Sequence, residues 1–227
     1  MKRPRRESLS ALMVPELRPD NRRIEFFSDA VFAIAITLLV IEIEVPDLPK
    51  GAPVEEFLHE LGGLIPSFVG FLMSFAVIAA FWVTHHQAFA LASRFSLRML
   101  PWNLFLLGMI ALMPWVTGFL SSNLNQLVPT AVYFGAFTVT ALLNARLAFI
   151  ATEIAAADPD QAAAARLIRM RCIGLAAGAA TALAASFLLP ENIRFMGLLA
   201  VPFWTRLLAR GARSARASAP AEERPAE

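Results

Sequence analysis

The sequence predicts an all-α membrane protein with six transmembrane helices and both termini in the cytoplasm. Three observations predict it. Apolar residues make up 57% of the 227 residues and charged residues only 17%, against roughly 45–50% and 25% in soluble domains; mean hydropathy is +0.58. Several stretches stay apolar for close to twenty residues, the length at which a helix rising about 1.5 Å per residue crosses a hydrocarbon core. Finally, six crossings put eighteen of the twenty Lys and Arg residues on one side and only Lys50 and Arg194 on the other. That side is the cytoplasm by the positive-inside rule, and five or seven crossings would erase the asymmetry.

The elements follow in order. Residues 1–21 are polar and Arg-rich, with Pro4, Pro15 and Pro19, and read as a cytoplasmic tail. No apolar region ending in a small-residue cleavage site follows the basic start, so it does not read as a cleavable signal. The membrane domain spans 22–208. Its first helix covers 24–45 and is broken by Pro46, Pro49, Gly51 and Pro53. Residues 54–60 form a short interfacial helix or acidic loop. A second span covers about 62–87, with Pro66 in its first half, and Arg94 and Arg98 mark the next loop. Spans three and four cover about 99–121 and 129–150. Residues 152–166, with Asp158, Pro159 and Asp160, read as a solvated turn. A fifth, Ala- and Gly-rich span covers about 167–189, and Pro190–Arg194 is a tight turn. The sixth, about 195–208, is short for a crossing, so its start includes the turn. Residues 209–227 are Ala, Pro, Arg and Glu and read as a disordered cytoplasmic tail.

The first span is the chemically distinctive one. At 100° per residue, Arg23, Phe27, Ala30, Ile34, Thr37, Leu38, Ile41 and Val45 share one stripe, while Ser28, Asp29, Phe32 and Ile36 fall opposite. A carboxylate at membrane depth costs roughly 2.5–3.5 kcal/mol on insertion scales, so Asp29 needs a partner or a wet cavity. Arg23, Trp82, His85, His86 and Asn103 lie at similar depth. Such a cluster acts either as a structural clamp or as a proton or cation site. The stripe Ile34, Leu38, Ile41 packs against other helices, faces lipid or lines a path. A mid-helix hydroxyl such as that of Thr37 commonly bonds the preceding turn. Glu42 and Glu44 form either an acidic vestibule or simply solvated ends.

Several function classes are excluded. The lone Cys172 allows no disulfide within the chain and no Cys-based metal cluster. His85 and His86 point about 100° apart on a helix, and neither has a carboxylate at i+3 or i+4, so no metal site is expected. There is no phosphate-binding Gly loop, nucleophile elbow or zinc-protease motif. The sequence points to no enzyme, no cofactor and no nucleic-acid partner.

Arg23-x-x-x-Phe27-Ser28-Asp29, followed by AVFAIAITLLVIEIEVP, resembles the signature of the bacterial branch of the endosomal/lysosomal potassium channel family, transmembrane protein 175. FWVTHHQAF at 81–89, Asn103 and Pro114 are similar to that family too. Within the motif Phe26 is a bulky departure. The likeness covers most of 22–120 and fades into generic hydrophobic helices.

The resemblance implies a homotetramer in the plasma (inner) membrane of a bacterium, with helix 1 lining a central pore. It implies a constriction at Ile34, with Leu38 and Ile41 as further rings, and Thr37 as a polar ring contributing to ion preference. The Phe27-Ser28-Asp29 motif would pack inside the subunit with Arg23, Trp82, His85 or His86, and Asn103. Glu42 and Glu44 would stand at the outer vestibule. The implied function is a potassium-permeable cation channel, passive and moderately selective over sodium, with potassium the permeant ion and protons a further leak. No TVGYG-type carbonyl filter is present; the nearest string, Thr138-Val139-Thr140, lacks the glycines. A proton-coupled secondary transporter built on Asp29 and the His85/His86 pair is the alternative.

Overall fold

The structure is a computed structural model and describes residues 21–92, 96–124 and 126–217. Of the expected tails at 1–21 and 209–227, residues 1–20 and 218–227, together with Arg94 in the loop after the second span, lie outside the described residues. Eight α-helices and two 3₁₀ segments are described: α1 (Asn21–Leu38), α2 (Val54–Gly63), α3 (Ile65–Ala90), α4 (Met99–Ser121), α5 (Leu127–Ala151), α6 (Glu153–Ala157), α7 (Pro159–Leu188) and α8 (Ala200–Ala217), with 3₁₀ turns at Leu39–Glu42 and Glu191–Leu199. Five helical stretches are long and apolar enough to cross a membrane: Arg22–Glu42, Val54–Ala90, Met99–Ser121, Leu127–Ala151 and Pro159–Leu188. The chain is thus a multi-pass, all-helical membrane protein.

The order of packing sets the architecture. α1 lies against α4 and α3, α4 against α5, α5 against α7, and α7 against α8. Where α3, α4 and α5 meet, Phe81, Leu106, Ile110, Met113 and Phe137 are fully buried, with the rings of Phe81 and Phe137 edge to face at 5.4 Å. α8 and the 3₁₀ segment before it lie directly on the backbone of α7. A Cβ on Gly174 would come within 2.8 Å of the Thr205 Cα, and one on Gly178 within 2.6 Å of the Val201 Cα. Gly174-x-x-x-Gly178-x-x-x-Ala182 is a small-residue seam of the kind that draws membrane helices together.

The structure revises several expectations. The first helix does not run as α-helix to Val45. It tightens into a 3₁₀ turn at Leu39–Glu42, and Ile43 is extended. The β-branched residues Val40, Ile41 and Ile43 are poor helix formers, and Pro46 drives the residue before it out of the α region. Residues 54–63 are a helix with no buried residue, begun after Pro53 and carrying Glu55 and Glu56 in its first turn, where acids complement the helix dipole. Pro66, expected inside the first half of the second span, sits in the first turn of α3, where its missing N–H costs nothing.

The segment expected as a solvated turn at 152–166 is largely helical. Asp158 caps α7, its Oδ1 accepting from the Asp160 backbone N–H at 3.0 Å and its Oδ2 from Gln161 at 2.8 Å. Pro159 occupies the first turn of α7, and the alanines that follow are strong helix formers. The tail expected to be disordered from residue 209 continues α8 as far as Ala217. The turn expected at Pro190–Arg194 is the start of the 3₁₀ run.

Candidate functional site

α1 presents two unlike faces. Ser28, Phe32, Ala35 and Leu39 are buried against α3 and α4. Every residue of the opposite stripe is exposed: Arg23, Phe27, Ala30, Ile34, Thr37, Leu38, Ile41 and Val45. Ile34 is 58%, Leu38 40% and Ile41 71% exposed, against 1% for Phe32. A row of large apolar side chains lies uncovered along a helix whose other side is firmly seated.

Polar bonds do the seating. The Asn103 Nδ2 of α4 donates to Ser28 Oγ at 3.0 Å, and Ser28 Oγ donates back to the Ile24 carbonyl at 2.8 Å. The other end of the same amide, Asn103 Oδ1, lies 2.9 Å from His85 Nε2 of α3. An amide oxygen only accepts, so His85 carries its proton on Nε2. The imidazole is stacked on Phe89 at 4.3 Å and tilted against Phe32 at 5.4 Å. Ser28, Asn103 and His85 are all buried, so one amide bolts three helices together at a single level.

Asp29 lies beside this triad rather than in it. It is half-buried, and the Trp82 indole N–H donates to its Oδ1 at 2.9 Å. Trp82 in turn stacks on His86 at 5.6 Å. The expected cluster therefore resolves into two arms: Ser28–Asn103–His85 inside, and Asp29–Trp82–His86 at its edge. His85 joins the hydrogen-bonded arm, while exposed His86 contributes a ring face. Arg23 is exposed and takes part in none of the described bonds of either arm.

At the other end of the stripe the two acids part company. Glu44 is exposed. Glu42 is half-buried and its carboxylate turns back onto α4, occupying the space where a Cβ on Gly118 would stand. The 3₁₀ turn causes this, because three residues per turn rotate Glu42 away from the position a continuous α-helix would give it. Thr37 donates its hydroxyl hydrogen to the preceding turn, with the carbonyls of Ile34 at 2.9 Å and Ala33 at 3.1 Å as acceptors. Its oxygen lone pairs remain available on the exposed face.

Two further polar ties were not assigned from the sequence. Thr117 Oγ1 lies 2.8 Å from Ser74 Oγ, which is 3.0 Å from the Tyr133 hydroxyl, joining α4, α3 and α5. Asn144 of α5 donates to Thr84 Oγ1 of α3 at 2.7 Å and reaches Cys172 Sγ of α7 at 3.8 Å. Each residue is a polar group inside an apolar span. That was the available signal, but spacing along one helix does not say which helix answers it. Arg169 was missed in the same way: its guanidinium bonds the Phe149 and Thr152 carbonyls and Thr152 Oγ1, closing the C-terminus of α5. Among the described residues no three His, Cys, Asp or Glu side chains converge.

Comparison with known proteins bears on the family and the fold. A family profile described as "Endosomal/lysosomal potassium channel TMEM175" matches residues 23–114, the stretch that holds α1, α3 and both arms of the polar cluster. A protein of Chamaesiphon minutus named a potassium channel is 42% identical over 131 residues, 56% of this chain and 64% of the relative. One of Streptomyces collinus, also named a potassium channel, is 41% identical over 109 residues, 47% of this chain and 50% of the relative. The matched segments thus span between half and two thirds of these curated relatives. The structural likeness is wider. A crystal structure described as a lysosomal potassium-selective channel TMEM175 homolog from Chamaesiphon minutus superposes with a TM-score of 0.66 at 31% identity, covering 85% of this chain and 97% of that one. With the signature residues gathered on α1, α3 and α4 and the fold shared almost end to end with a homolog, this chain belongs to the TMEM175 family.

Proposed function

We propose that the chain is a subunit of a potassium-permeable cation channel, in which four copies set α1 around a common axis and potassium passes between them down its gradient. The observation that carries this reading is the division of α1. Ser28 and Asp29 are spent on its own bundle, and its largely apolar stripe is left uncovered in a fixed orientation. Membership of the TMEM175 family favours an axis rather than lipid as what that stripe faces.

In this arrangement Ile34 forms the neck, with Leu38 and Ile41 as rings farther along. An apolar neck gates by dewetting: narrow, it holds no continuous water, and a small tilt of α1 admits ions. Potassium sheds water more readily than sodium, so such a neck prefers potassium moderately. Thr37 supports the preference, because its hydrogen is committed to the backbone and its oxygen is free to face a cation. Glu44 stands at the outer mouth. Glu42, turned into its own subunit, contributes charge there without lining the path.

Six crossings, with both termini cytoplasmic, complete the topology. The last crossing is too short as α-helix alone. Nine 3₁₀ residues at about 2.0 Å each, followed by α-helix to Leu208 at about 1.5 Å each, span roughly 30 Å, a full hydrocarbon core. With that crossing the basic residues segregate as the positive-inside rule requires, which supports a bacterial plasma-membrane location.

The reading is tested by planar-bilayer recording of the purified protein under a potassium/sodium gradient. Unitary steps and a reversal potential shifted toward potassium are expected. Ile34→Asn and Ile34→Cys should raise the leak and lower the selectivity, and no change in either overturns Ile34 as the neck. Saturable flux that follows a proton gradient without unitary steps would instead favour the transporter reading. The bonds of Asp29 and His85 give that reading no support, since both groups are engaged in joining helices.

A further inference from the structure

α3 and α8 do not pack on each other; both rest on α7. A cleft of about 900 Å³ lies between them. Short side chains create it. Ala76, Ala79 and Ala80 line the α3 wall, while the glycines of α7 let α8 sink onto that helix rather than lean across toward α3. The walls are apolar for most of their length, with Leu72, Leu175, Leu199 and Val201 among them.

One end is different in kind. Arg171, Arg206 and Arg210 stand there, and no acidic residue lines the cleft. Arg171 donates to Gln87 at 3.1 Å. Arg206 and Arg210 are exposed, and neither has an acidic partner among the described contacts. These arginines lie toward the end of the bundle where α3 finishes and α7 begins, the cytoplasmic end in the topology above.

We infer that this cleft binds an anionic phospholipid, with an acyl chain along the alanine face of α3 and the phosphate between Arg206 and Arg210. The argument is charge complementarity joined to shape. A greasy slot open to the bilayer takes up a hydrocarbon chain. Guanidinium groups without a carboxylate bind phosphate through paired N–H donors. Basic pockets between transmembrane helices on the cytoplasmic side take anionic head groups in this way. A zwitterionic lipid offers the same chain, but its own cation competes for the phosphate. The inference requires that the helices span a bilayer, not that the chain conducts potassium.

The test reads binding alone. The full chain is reconstituted into vesicles of equal phosphatidylglycerol and phosphatidylcholine, re-extracted in mild detergent, and its retained lipid quantified by mass spectrometry. Wild type is expected to retain phosphatidylglycerol in clear excess. Arg206→Gln with Arg210→Gln should cut that excess by roughly tenfold or more, given about fivefold per basic group near an anionic surface. Arg206→Lys with Arg210→Lys should keep most of it. Ala79→Trp, which fills the slot and leaves the arginines in place, should lose the lipid too. Equal retention of the two lipids by wild type overturns the inference, as does an excess insensitive to the double Gln variant. A photocrosslinker at position 76 that captures a second copy of the chain instead of lipid would also overturn it.

Discussion

Two residues apart on α1, Phe32 and Ile34 live in opposite surroundings. Phe32 is sealed between α3 and α4, next to the Ser28–Asn103–His85 bonds; Ile34 is uncovered. The buried side of this helix carries the Ser28 hydroxyl and sits beside the Asp29 carboxylate, while the exposed side around Ile34 is mostly aliphatic, with Thr37 its one hydroxyl. In water the arrangement would be inverted. In a bilayer the surroundings offer no hydrogen bonds, so polar groups seek partners on other helices and the apolar ones are free to face outward. A wholly apolar helix would have no such reason to prefer one rotation. The Ser28–Asn103–His85 bonds fix the rotation of α1, and that fixed rotation leaves Ile34, Leu38 and Ile41 uncovered on one face.

The sharpest way to break this comparison is to make the same change on both faces. Phe32→Asn should destabilise the subunit by about 3 kcal/mol or more, since it leaves a hole and an unsatisfied amide in the core. Ile34→Asn should alter subunit stability by only about 0.5 kcal/mol in either direction, as an exposed substitution does, while changing the flux. Thermal unfolding of the detergent-solubilised protein measures both; similar losses would mean that Ile34 is packed after all.

The next largest effect belongs to the amide that joins the three helices. Asn103→Leu strips partners from Ser28 and His85 together and should cost about 1–3 kcal/mol. It should also blunt ion selectivity, because α1 loses the bond that fixes its rotation. Unfolding and reversal-potential measurements on the same preparation check the pair of outcomes; loss of stability with selectivity intact would separate the seam from the path. Trp82→Phe removes only the donor to Asp29 at the edge of the cluster. It is expected to cost about 0.6 kcal/mol, the average for a hydrogen bond between membrane helices, and an effect as large as that of Asn103→Leu would move the centre of the cluster to Asp29.

Much of this was legible in the chain. The wheel of the first span separates Ser28 and Phe32 from Ile34 and Leu38 because a helical repeat is a local property, and the structure buries and exposes those residues accordingly. Legibility stopped where a second element was needed. Asn103 was a candidate partner, but not the one amide that serves both Ser28 and His85. Ser74, Thr117 and Tyr133 were polar residues on three helices with no assigned partners until packing brought them within bonding distance. Glu42 looked like the companion of Glu44, and a single 3₁₀ turn sent it the other way. The Gly174-x-x-x-Gly178 spacing was present in the sequence and explains why α8 lies so close to α7.

The sequence by itself determined a helical, multi-pass membrane protein and the two faces of its first helix, because hydropathy and period are written residue by residue. Only the tertiary structure decided which polar atoms meet, where α1 tightens, and that α3 and α8 stand apart over α7. Those outcomes depend on how helices far apart in the chain dock. Docking is set by the shapes of whole surfaces, in which one glycine or one 3₁₀ turn redirects everything that follows.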